Sequence, residues 1–215
     1  MDTVTGATSK ARKGFMRSLL EPSSVTRDDP LIRFALREDV LAAVADYLGT
    51  APVLAKVDVF YSGSVPGDPT SSQLLHCDQE DTQQIKAFVL CSDVSEENGP
   101  LQVMDADDSR TLRKTLGYHF RDRVTDEEAE RAMGPPQYAS MVGPPGTVCF
   151  ADTSRCFHYG SRVEEEAEPR LVAMVKWQRP FAFKMPRNVD RSGGPYASLA
   201  RPDDSRLVRL ALASG

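Results

Sequence analysis

His76-Cys77-Asp78 and a second histidine far along the chain, His158, constrain the fold more than any other feature of the sequence. On a strand, positions two apart point to the same face. An imidazole and a carboxylate in a His-x-Asp pair therefore converge on one point. For His158 to join them, a late segment must fold back against the segment that holds the pair. The chain has three histidines, and the third, His119, lies in the polar stretch 114–123 and is expected at the surface or in a lid.

The texture around these residues is that of a sheet protein. Residues 54–61 alternate loosely and are β-branched or aromatic, which predicts a strand. Strand-like segments follow at 73–77, 85–93, 101–104, 139–142, 147–151 and 170–178, punctuated by Asn98-Gly99-Pro100 and Gly143-Pro144-Pro145-Gly146. Many short strands with such turns predict a mainly β chain with flanking helices, a sandwich or jelly roll. Residues 31–48 predict a helix: Ile32, Leu36, Val40, Leu41, Val44 and Leu48 recur near helical spacing, and Gly49 sits where the C-terminal cap belongs. Thr125-Asp126-Glu127-Glu128 matches a capping box, so a short helix is expected to follow to Met133. Residues 205–213 suit either a last helix or a frayed end.

A length of 215 residues predicts a single domain with an unstapled core. The net charge of −5 argues against nucleic acid as a partner, because phosphate binding needs a positive footprint. No apolar run is long enough to span a bilayer, and the N-terminus lacks the apolar core of a signal peptide. Cys77, Cys91, Cys149 and Cys156 form no Cys-x-x-Cys pair, so they are expected to be reduced thiols of a cytoplasmic protein. Residues 1–13 are polar and expected to be mobile or a flap.

Two neutral imidazoles and one carboxylate on one face of a metal leave the opposite positions open, the facial arrangement of non-haem Fe(II) oxygenases. His76, Asp78 and His158 are thus candidate metal ligands and the candidate catalytic centre. Arg170 opens the apolar run Leu171-Val172-Ala173-Met174-Val175. A guanidinium at the mouth of a buried strand needs a counter-charge, and its fork matches a carboxylate in two-point fashion. Two partners are open to it: the far carboxylate of 2-oxoglutarate, or one of Glu164, Glu165, Glu166 and Glu168 in the preceding loop.

The set Gln73-x-x-His76-x-Asp78, Glu97-Asn98-Gly99-Pro100-Leu101, Gly146-Thr147-Val148, His158-x-Gly160 and Arg170 resembles the phytanoyl-CoA dioxygenase family of Fe(II)/2-oxoglutarate oxygenases. The resemblance covers roughly residues 30–180. It implies a double-stranded β-helix, a cupin-like jelly roll. It further implies Fe(II) on His76, Asp78 and His158, 2-oxoglutarate as co-substrate gripped by Arg170, and O2 as oxidant. The reaction implied is hydroxylation of a small-molecule substrate with release of succinate and CO2. Three further co-substrate contacts follow. Gln73 is placed to hydrogen-bond 2-oxoglutarate, against a strand-edge amide. Phe88 is placed beside it, against plain core packing. Tyr61 is a possible donor. The family often has serine or threonine two residues after the distal histidine, where this chain has Gly160 and then Ser161. It often continues the Asn-Gly turn with Pro-Gly-Ser-His, where this chain has residues 104–109, Met-Asp-Ala-Asp-Asp-Ser. Phytanoyl-CoA as substrate does not follow. In related halogenases a small residue replaces the carboxylate ligand; Asp78 fills that place and favours oxidation over halogenation.

Residues 105–140 form a charged insert between core strands, expected to be a lid or a solvated helical excursion. Phe181, Phe183 and Met185 beside Arg187 and Arg191 suit an amphipathic acid or a carrier-linked substrate. Two other classes stay open: a cupin-like metalloprotein with another metal or reaction, and a non-catalytic binding module. Oligomeric state is left open by the residues.

Overall fold

The computed structural model describes residues 14–21, 24–120, 122–184 and 194–213. The expectations for 1–13, Met185, Arg187 and Arg191 lie outside the described residues.

In chain order the elements are β1 (Met16–Ser18), α1 (Pro30–Ala35), α2 (Glu38–Leu48), β2 (Val53–Ser62), β3 (Gln84–Leu90), β4 (Gln102–Val103), α3 (Ala106–Leu116), α4 (Asp126–Met133), β5 (Ala139–Ser140), β6 (Val148–Ala151), β7 (His158–Tyr159), β8 (Arg170–Gln178) and α5 (Arg206–Leu212). Two antiparallel sheets result, one ordered β1-β2-β8-β3-β6 and a smaller one ordered β5-β4-β7. The jelly-roll expectation is met.

The long strands divide their side chains by parity. In the pairings, Lys56 faces Lys176, Phe60 faces Val172 and Ser62 faces Arg170, while Lys86 faces Lys176 and Phe88 faces Met174. From Lys56 onward in β2, and along β3 and β8, even-numbered positions therefore share one face, while the bulge before Lys56 turns Leu54 to the other. On the other face Val57, Ile85, Ala87, Val175 and Trp177 pack against Ile32, Leu41, Val44, Leu48, Val208 and Leu212 of the helices. Burying a large aliphatic or aromatic side chain contributes about 1.5–3 kcal/mol, so this layer anchors the sheet.

The single helix expected over 31–48 is two. Leu36 closes α1, its backbone N–H donating to the Ile32 carbonyl and that of Arg37 to the Phe34 carbonyl, and Arg37 then takes an extended conformation that starts α2. The apolar spacing continues through the break because both helices bury the same side, so periodicity alone hides the bend. Gly49 caps α2 in the left-handed region at φ 68°, as its position predicted. The capping box at Thr125 is present, with Thr125 accepting from Glu128 N–H. Residues 206–212 form a helix with the Ser205 hydroxyl accepting from Val208 N–H.

Residues 73–77 are not a strand. A turn of 3-10 helix spans Ser71–Gln73, and the extended stretch after it pairs only through Leu75 with Val124 and His76 with His158. The odd residues of this stretch, Leu75 and Cys77, bury into a second core with Met104, Leu112, Tyr118, Val124, Ala129 and Phe157. The charged insert therefore builds a wall behind the His-x-Asp segment.

Candidate metal centre

His76 and His158 are direct antiparallel partners and exchange both backbone hydrogen bonds, at 3.1 and 3.0 Å. Their ring centroids are 4.3 Å apart. Asp78, two residues on, is held by its own N–H on the Thr153 carbonyl at 2.7 Å. One ligand atom from each of His76, Asp78 and His158 lies within 4.8 Å of the others. Strand pairing thus brings together the three residues that the sequence singled out.

The two imidazoles are oriented in the same way. Nδ1 of His76 lies 2.9 Å from the Leu74 carbonyl and Nδ1 of His158 lies 3.1 Å from the Cys156 carbonyl. A carbonyl oxygen only accepts, so each Nδ1 carries the proton and each Nε2 keeps a lone pair for a metal. Burial, with His158 close by, lowers the His76 pKa to about 3. Burial also lowers that of His158. Both rings are therefore neutral at physiological pH, the state that ligates.

Asp78 has partners the sequence did not reveal. Its Oδ2 accepts from Lys86 Nζ at 2.5 Å and from Gln84 Nε2 at 2.8 Å, both on β3. Burial by itself would raise the carboxyl, but the Lys86 ammonium, by its charge and its hydrogen bond, holds it well below the usual carboxylate range. With Oδ2 engaged twice, Oδ1 is the oxygen left for a metal. These donors are even-numbered β3 residues facing inward. Alternation along the strand was the available signal, but their distance from Asp78 in the fold was not encoded locally.

The triad opens into a cavity of about 240 Å³ between the sheets, whose lining includes Ser62, Phe88, Ser161, Arg170, Met174 and Lys176. A larger groove of about 1080 Å³ runs beside α2 and β6 but contains none of the triad.

Arg170 is buried in the cavity wall, and among the described residues no carboxylate pairs with it. The loop glutamates do not reach it. One Nη donates to the Ser161 hydroxyl at 2.9 Å, and Nε has no partner. Burial lowers its pKa to about 10, so it remains a cation. Ser161 adopts φ 64°, an unusual left-handed conformation for serine, and its hydroxyl also lies 3.0 Å from that of Ser62. Gly160 makes room for the guanidinium: a Cβ there would stand 3.1 Å from an Arg170 Nη. Gly160 lets the arginine pass, and Ser161 next to it supplies the hydroxyl that the guanidinium reaches. Gly99, at φ 64°, similarly admits the backbone of Arg162, which a Cβ would meet at 2.5 Å.

Of the weaker expectations, only Phe88 lines the cavity. Tyr61 does not. It is an odd residue of β2 and faces away, stacked under the Arg17 guanidinium at 4.9 Å, while Phe60 and Ser62 face inward. Gln73 is also diverted: its Oε1 accepts from Thr70 N–H and its Nε2 donates to the Ser161 carbonyl. It supports Ser161 from outside the cavity. His119 is exposed. Among the described residues, none from 105–140 lines the cavity. The insert instead pins the metal segments from behind, with Tyr118 Oη accepting from Cys77 N–H at 3.0 Å and Ser109 Oγ from Phe157 N–H at 2.9 Å. Phe181 and Phe183 are exposed.

No protein-family model matches the sequence, and no curated protein matches it. Solved structures do. EctD from S. alaskensis with bound Fe aligns with a TM-score of 0.54 at 20% identity, over 94% of this chain and 67% of that one. HygX from Streptomyces hygroscopicus, with nickel and 2-oxoglutarate bound, aligns with a TM-score of 0.50 at 18% identity, over 79% of this chain and 72% of that one. The likeness shows the fold, a double-stranded β-helix. No helix among the described residues is long and apolar enough to cross a membrane.

Proposed function

We propose that the chain is a single-domain, cytoplasmic Fe(II)/2-oxoglutarate-dependent oxygenase of the phytanoyl-CoA dioxygenase type that hydroxylates a small molecule. The observation that carries this reading is the pairing, in one cavity, of a His-Asp-His set with a buried, uncompensated guanidinium. A buried cation without a partner is costly, and a bound diacid supplies the missing charge. The crystal form of HygX that contains nickel and 2-oxoglutarate is consistent with it.

His76, Asp78 and His158 would hold the iron through two Nε2 atoms and Oδ1. With O2 as oxidant, iron and 2-oxoglutarate would supply the oxidising chemistry, one oxygen atom entering succinate as CO2 is lost and the other entering the hydroxylated product. The protein's own part is positional. Arg170 and Ser161 grip the distal carboxylate; Phe88, Leu101, Val172 and Met174 exclude water around it. Lys86 and Gln84 fix the Asp78 carboxylate. A cupin-like metalloprotein with a different reaction and a non-catalytic module are the alternatives, and neither gives Arg170 a ligand.

The test is anaerobic titration with Fe(II) and 2-oxoglutarate. A weak visible charge-transfer band is expected, absent in His76→Ala and displaced to much higher 2-oxoglutarate in Arg170→Ala. A wild-type protein with no band defeats the reading.

A further inference from the structure

Lys56, Lys176 and Lys86 stand directly opposite one another on β2, β8 and β3, and all three line the metal cavity. Like charges placed opposite each other on neighbouring strands destabilise a sheet, so the row demands compensation. Lys56 pairs with Asp58 at 2.7 Å, Lys176 with Glu80 at 3.1 Å and Lys86 with Asp78 at 2.5 Å.

The last of these pairs changes character once the site is loaded. A divalent metal takes the Asp78 charge, and a dianionic co-substrate matches the remaining metal charge together with Arg170. Three ammonium groups then face two carboxylates, Asp58 and Glu80. The Arg170 clamp cannot serve the surplus. Lys176 lies six positions beyond Arg170 on β8, roughly 20 Å of strand, so the carboxylate held at Arg170 stays far from the lysines, and the opposite end of the diacid would be taken up at the metal. The lysine end of the cavity is therefore free for the other reactant, next to the metal, since Lys86 touches Asp78.

Resting on the oxygenase reading above, we propose that the primary substrate carries an anionic group, a carboxylate or a phosphate, seated on the row Lys56, Lys176 and Lys86. Its reacting carbon lies within a few bonds of that group.

The experiment uses the protein loaded with Ni(II) and 2-oxoglutarate, titrated calorimetrically with hexanoate, hexyl phosphate and hexan-1-ol. At least one anion is expected to bind about tenfold or more tighter than the alcohol, and the stronger of the two identifies the group. Lys176→Met and Lys56→Met are each expected to lower anion affinity about tenfold and leave the alcohol unchanged. Melting curves establish that each variant folds; Lys56, the more exposed of the two, carries the test if Lys176→Met does not. Equal affinity for anions and alcohol, no binding by either anion, or anion binding unaffected by the lysine substitutions overturns the proposal. The Fe(II)/2-oxoglutarate band is recorded first. A band with failed discrimination sinks this inference alone. A missing band sinks the oxygenase reading, and the same titration of protein with Ni(II) alone then decides whether the row binds anions.

Discussion

Lys86 Nζ lies 2.5 Å from Asp78 Oδ2, so the carboxylate of the triad is ion-paired within the protein itself. Both side chains are largely buried. Removing one partner of a buried pair leaves an uncompensated charge and costs about 3–5 kcal/mol. Lys86→Met is therefore expected to lower the melting temperature of the metal-free protein substantially. A divalent metal should restore more stability to the variant than it adds to the wild type, because it supplies the lost counter-charge. Thermal melts with and without Ni(II) check this. Equal metal-induced gains would contradict it.

Gly160 and Arg170 make a second test. A Cβ at residue 160 would meet an Arg170 Nη at 3.1 Å and the Pro100 carbonyl oxygen at 3.4 Å. Gly160→Ala should displace the guanidinium by a few tenths of an ångström and leave the triad intact. Under the proposed function, the KM for 2-oxoglutarate rises roughly tenfold, while metal affinity stays at the wild-type value. Steady-state kinetics and a metal titration separate the two effects.

The metal-free protein should lose stability on mild acidification. In the unfolded chain His76 titrates near its ordinary value of 6.5, whereas in the fold burial lowers it to about 3. Between those values the unfolded state binds a proton that the folded state does not, so stability falls as pH falls through 6.5 and the loss continues towards 3. At pH 5 the contribution from His76 alone is about 2 kcal/mol. Melting temperatures from pH 7 to 5 should drop for the wild type and drop less steeply for His76→Asn. Parallel slopes would refute the assignment.

Local chemistry explains what the sequence made legible. The Thr125 capping box and the Gly49 cap need only neighbours within a turn. The run 170–178 carries the unbroken apolar stretch 171–175 at its centre and forms β8 with those bounds. The triad was visible because two of the chain's three histidines fall where it needs them, one in a His-x-Asp pair and one far along the chain in a strand-like setting. Facing, by contrast, depends on register. Tyr61 belongs to the outer face because Ser62 pairs with Arg170, and a bulge between Leu54 and Lys56 sets that register. The lysine row and the Lys86–Asp78 pair join residues that only sheet pairing brings together. Gln73 was expected at the co-substrate, yet it caps a turn and holds the Ser161 carbonyl; an amide's choice of partner is a tertiary matter.

The insert 105–140 gives the last prediction. Tyr118 Oη accepts the Cys77 N–H, and Cys77 lies between the two ligands of the His-x-Asp pair. Burial raises the Tyr118 phenol to about 12, so it stays protonated and donates its own hydrogen bond to the Asp122 carbonyl at 3.3 Å. Tyr118→Phe keeps the ring packed on Phe157 but leaves the Cys77 N–H without its acceptor, at a cost of about 1–3 kcal/mol. If the insert acts as a wall behind the metal, Tyr118→Phe weakens metal binding and leaves the ratio of substrate to co-substrate affinity alone. A lid would behave in the opposite way: metal affinity would hold and substrate affinity would fall. A metal titration of Tyr118→Phe, followed by the anion titration on the loaded variant, distinguishes the two roles.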